Sequence, residues 1–147
     1  MVERPPVVPM PPYVFVPGQN ARHPEDWFDE IKASVQPGMN HQTLQDSRAF
    51  RAGLAYLDAG YFWECHEVLE AVWMVLAPKT QERLLVQALI QLANAELKLL
   101  MKRPNAVGRL CDIVTTQLDA LPSDVAILGV QSKALRNRVK ALQLRSQ

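Results

Sequence analysis

The sequence predicts an all-α protein: a single-domain bundle of five or six helices, crossed by an extended proline-rich N-terminal arm. Three observations carry that expectation. Apolar residues recur at helical rather than alternating spacing through most of the chain. Proline or glycine punctuates the apolar stretches at 37–38, 60, 78, 104 and 122. The length of 147 residues, with 48% hydrophobic and 21% charged residues, suits one domain that buries a sizeable core.

Residues 1–24 hold seven of the eleven prolines, which forbids regular helix and favours an extended arm. Tyr13, Val14, Phe15 and Val16 form an apolar cluster that ends at the turn signal Pro17-Gly18, so the arm is expected to lie across the body. Residues 25–147 form the helical domain. After His23-Pro24, EDWFDEIKASV has acidic residues in its first turn and reads as a short helix ending at Pro37-Gly38. A second helix runs from about His41, with Leu44, Phe50, Leu54 and Leu57 on its apolar side and Gly60 as its stop.

YFWECHEVLEAVW, residues 61–73, lies in the third helix, which Pro78 limits. Thr80 is the expected N-cap of a long fourth helix reaching about Lys102. Pro104 separates it from a fifth that starts near Asn105 and runs to about Ala120. A last helix, about Val130 to Leu144, is expected to carry Lys133, Arg136, Arg138, Lys140 and Arg145 on its exposed side.

Chemistry concentrates in the third and fourth helices. His66 and Glu70 are four apart, and Glu67 is three from both Glu64 and Glu70, so one imidazole and three carboxylates form a continuous patch beside the apolar face of Phe62, Cys65, Leu69, Val72 and Trp73. Gln87, Gln91, Asn94 and Lys98 form a stripe on the fourth helix with apolar neighbours on both sides, which points to partial burial. Buried amides need partners, since each one left unpaired costs about 1–3 kcal/mol. The expected arrangement has this stripe facing His66, Glu67 and Glu70 across a polar cleft.

GYFWECHEVLEAVW, QALIQLANAELKL and NAVGRL, in that order, resemble the motifs of the small all-helical bacterial and archaeal family catalogued as domain of unknown function 309. The resemblance covers about residues 47–121 and implies an α-helical fold; it supplies no reaction. The matching positions are Glu64, His66, Glu67, Glu70 and Trp73, then Gln87, Gln91 and Lys98, then Asn105, Gly108 and Arg109. Ala88 stands where the family more often has glycine. PPYVFVPG followed by His23-Pro24 resembles an extension of one branch of that family.

The preferred reading is a ligand-binding module for a small molecule or protein, with Glu64, His66, Glu67, Glu70, Gln87, Gln91 and Lys98 as binding residues. The alternative is an enzyme in which His66 exchanges protons beside Glu67 or Glu70. Its metal-dependent form would use His66 and Glu70 as i, i+4 ligands, with His23, His41 or Glu64 as third-ligand candidates and Glu67 as the base. No cofactor other than such a divalent metal is implied. The bland alternative is a polar network that fixes helix packing. His23 reads as a helix-start residue unless the arm folds over His66.

Cys65 and Cys111 fall on apolar positions and read as inert thiols. Sixteen Lys and Arg against fifteen Asp and Glu give a formal charge of +1, which disfavours nucleic acid and anionic membranes as partners. The proline-broken start lacks a signal-peptide core and no later stretch reaches the length of a membrane span, so a soluble cytoplasmic protein is expected. The apolar arm and the Trp-rich third helix suggest a homodimer.

Overall fold

The computed structural model describes residues 8–147; the predicted arm's first seven residues lie outside the described residues. The described chain is a single all-helical domain. A 3-10 turn, Glu25–Phe28, leads into α1 (Asp29–Lys32), followed by α2 (His41–Gln45), α3 (Arg48–Ala59), α4 (Phe62–Val75), α5 (Gln81–Leu100), α6 (Pro104–Asp119) and α7 (Ser132–Arg145). No strand forms among the described residues; Ile127 and Val130 make one isolated bridge before α7.

The expected second helix is two. Asn40 caps α2 by accepting the Thr43 N–H at 2.8 Å, and Ser47 caps α3 by accepting the Phe50 N–H at 3.2 Å. An N-cap residue takes extended backbone angles, so Ser47, at ψ 152°, breaks the helical path that the apolar spacing alone would continue. Gly60 then ends α3 in the left-handed region at φ 89°, where the Tyr61 N–H reaches back to the Tyr56 carbonyl at 2.9 Å. Thr80 caps α5 as expected, and Pro104 opens α6 where a missing N–H costs nothing.

Helices α3 to α6 pack in chain order around one core that includes Phe50, Tyr56, Val68, Leu69, Leu89 and Leu92. At Gly53 a Cβ would stand only 2.3 Å from Leu69 Cδ2, so glycine sets the close approach of α3 to α4. Helix α7 buries Leu135, Val139 and Leu142. Three of its basic residues are not a free solvated face: Arg136 pairs with Asp119 at 2.8 Å, Arg138 with Asp58 at 2.6 Å, and Arg145 with the buried Glu96. They tie the last helix to α3, α5 and α6.

The arm crosses the bundle. A turn over Val16–Gln19, with Gly18 at φ 84°, reverses it, and Asn20 fixes the bend by accepting the Val16 N–H and donating to the Val14 carbonyl. Phe15 and Val16 are buried. Tyr56 donates its hydroxyl to the Pro9 carbonyl, and Gln19 donates to the Leu100 carbonyl at 2.9 Å. The apolar cluster that suggested a dimer is thus largely covered by its own chain.

Candidate functional site

Helix α4 divides its polar residues between inside and outside. Glu64 shares a helix face with Val68 and Val72, spaced by four, and all three are completely buried. The continuous patch expected from Glu64 to Glu70 is therefore split, with Glu64 turned into the core. A buried carboxylate needs donors. Both come from the arm: the Phe15 N–H donates to Glu64 Oε2 at 2.8 Å, and His23 Nε2 lies 2.7 Å from the same oxygen.

His23 is 4% exposed and sits in a nest of aromatic rings. Tyr13 stacks on it at 4.4 Å between centroids, Phe15 and Phe28 meet it edge-on, and Trp27 and Trp63 lie 6.2 and 6.1 Å away. Two buried atoms of the pair, His23 Nδ1 and Glu64 Oε1, have no hydrogen-bond partner among the described residues. Close by, burial, then the charge of Glu64, then Tyr61, pushes the Tyr56 hydroxyl well above the usual tyrosine range.

A cavity of about 450 Å³ opens beside His23, with Glu64 behind it in the core. His23, Phe28 and Trp63 supply its aromatic wall; Arg22, Lys32 and Glu67 supply charge, joined by Glu25, Asp26 and Asp29 at the start of the first helical segment. Lys32 Nζ is held 2.9 Å from Glu67, and the Arg22 guanidinium lies 5.2 Å from the Trp63 ring centroid. The volume is in the range of small-molecule sites.

The other expected site residues are arranged differently. His66 Nε2 is 3.2 Å from Glu70 Oε2, with the Glu70 side chain 53% exposed. Gln87, Gln91, Asn94 and Lys98 are half-buried, in line with the spacing, but no hydrogen bond or ion pair joins them to His66, Glu67 or Glu70 among the described residues. Gln91 accepts from Asn94 at 3.4 Å, and Gln87 lines a separate cavity with Trp73 and Arg83. The reason is packing. Val68, Leu69 and Val72 of α4 and Leu85, Leu89 and Leu92 of α5 fill the core, leaving polar residues at its margins.

Arg83 stacks on Trp73 at 3.8 Å, leaving that indole half-covered rather than deep in the core. Asn105, Gly108 and Arg109 are exposed on α6. Cys65 and Cys111 are buried, and burial raises both thiols above their usual range, which disfavours the nucleophilic thiolate. No group of three or more His, Cys, Asp or Glu among the described residues is placed to hold a metal ion. Of the candidate third ligands, His23 and Glu64 pair with each other, and His41 lies 3.3 Å from Glu82. No helix among the described residues is long and apolar enough to cross a membrane.

Sequence reasoning offered His23 only as a helix start or a third metal ligand, and missed both its pairing with Glu64 and the inward turn of Glu64. The Glu64, Val68, Val72 spacing carried the second signal. For His23, whose partner is 41 positions away, the only hint was the apolar cluster preceding it in the arm.

Neither a curated protein nor a solved structure matches the chain. A family match is found over residues 50–110, which takes in most of α3, all of α4 and α5 and the start of α6, and with them Glu64 but not His23. The family is the one described as Domain of unknown function (DUF309), and it is this family that the helical centre of the chain resembles.

Proposed function

We propose that the protein is a cytoplasmic small-ligand-binding module whose site is the cavity beside His23, Trp63, Lys32 and Glu67, rather than the margin between α4 and α5. One observation carries this reading: a buried histidine, oriented by a buried carboxylate, forms part of the wall of a cavity of about 450 Å³ and has one ring nitrogen without a partner among the described residues. Unsatisfied buried polar atoms are rare and costly in folded proteins, and a ligand that pairs with one recovers that cost.

The test is a thermal-shift screen of the full chain against small polar metabolites. A binder present at about one hundred times its Kd stabilises the fold by about 2.7 kcal/mol, which raises the melting temperature by several degrees. The shift should vanish in Trp63→Leu and weaken in Lys32→Ala, yet persist in His66→Ala, which lies outside the cavity wall. Shifts indifferent to Trp63 and Lys32, or none at all, would reject the pocket.

Acid–base catalysis, the second reading, has better geometry at His23 and Glu64 than at His66 and Glu70. The former pair is buried, 2.7 Å apart and beside a cavity; the latter is 3.2 Å apart and open to solvent. Ligand binding retained with turnover lost in His23→Gln would favour it.

A further inference from the structure

Resting on that pocket, the charge and hydrogen-bonding pattern of the wall narrow the ligand class. Both cations of the wall already have companions: Lys32 lies on Glu67, and Arg22 lies over the Trp63 ring. The carboxylates of Glu25, Asp26 and Asp29 have no ion-pair partner among the described residues. Four acidic residues and two basic ones line the cavity, so its field favours positive charge.

The buried pair adds an unmet polar group to the same wall. His23 Nε2 is taken up by Glu64 Oε2 at 2.7 Å, while Nδ1 of the same ring, buried with it, has no hydrogen-bond partner among the described residues. The chain itself supplies a second indication of a cation, for a guanidinium rests 5.2 Å from the centroid of the Trp63 ring, and an indole that accepts Arg22 accepts a ligand cation on the same grounds.

We infer that the cavity takes a small organic cation, an alkylammonium or guanidinium compound. Its charge is met by Glu25, Asp26 and Asp29, and its carbon chain lies against Trp63. Arg22 is a competitor for the Trp63 face in the empty site, swinging out as the ligand enters.

The test uses two probes of equal chain length and opposite charge, 1,4-diaminobutane and succinate, titrated into the full chain by calorimetry at low salt. The diamine should bind one to one while succinate does not. Trp63→Leu and the double variant Asp26→Asn/Asp29→Asn should each weaken diamine binding about ten-fold or more, and Arg22→Ala should strengthen it. Asp26 and Asp29 are exposed, so the double variant reports on charge even if Trp63→Leu folds poorly. Succinate binding without diamine binding would overturn the cation inference and leave the pocket standing. Binding of neither, together with screen hits that depend on Trp63, would do the same. Diamine binding indifferent to the Asp26→Asn/Asp29→Asn variant would also overturn it.

Discussion

His23–Glu64 and His66–Glu70 pair the same two residue types, and α4 supplies Glu64 to one and, two positions on, His66 to the other, yet the first pair is sealed in the core and the second borders solvent. In the first, the two partners come from segments 41 residues apart and the carboxylate also holds a backbone N–H of the arm. In the second, the partners are one helical turn apart and remain close whatever the rest of the chain does. The lesson concerns reach. A pair that local spacing already guarantees adds little to the fold, whereas a pair assembled across the chain fixes where a distant segment docks.

The largest effect should follow from Glu64→Ala, which strands His23 and the Phe15 N–H in the core. Removing one partner of a buried pair costs about 3–5 kcal/mol, measurable by urea unfolding. Limited proteolysis should also then cut within residues 8–24, which the native contacts protect. Glu64→Gln keeps an acceptor for the Phe15 N–H and should lose less. Equal losses for the two variants would mean that the charge, not the hydrogen bonds, holds the arm.

Tyr56→Phe tests the arm one attachment further along. Losing the hydroxyl donated to the Pro9 carbonyl should cost about 1 kcal/mol at neutral pH. Because burial raises the hydroxyl of Tyr56 above its unfolded value of 10.0, its contribution is complete below about pH 10 and falls as pH rises beyond that, where only the unfolded chain ionises. The wild type should therefore lose stability above pH 10 more steeply than Tyr56→Phe. Parallel alkaline curves would sink the assignment.

The smallest effect belongs to the exposed pair. His66→Ala and Glu70→Ala should each change stability by no more than about 0.5 kcal/mol, with the difference shrinking in high salt. A loss above about 2 kcal/mol in either would place this pair in a packing network and erase the contrast with His23–Glu64.

Helical spacing, proline stops and glycine stops made the all-α bundle legible from Phe50 to Asp119, because those signals act within a few residues of one another. The split at Ser47 was missed since its apolar neighbours continue the helical period on both sides. The candidate site was legible only in part: Glu67 was singled out and lines the cavity, whereas among the described residues no hydrogen bond or ion pair joins Gln87, Gln91 or Lys98 to His66. Glu96 with Arg145, and His23 with Glu64, join residues 49 and 41 positions apart, and no local period encodes such a meeting.

Glu64 also sets an order of events during synthesis. The arm leaves the ribosome before the residue that receives it, so Phe15 and His23 have no acceptor until α4 has been made and packed. Closing loops of 41 and 49 residues is slower than forming the turns of α3 to α5, which makes docking of the arm a late step. Until then the Tyr13-to-Val16 cluster is an exposed apolar segment on a nascent chain, a target for chaperones that the finished fold withdraws from view.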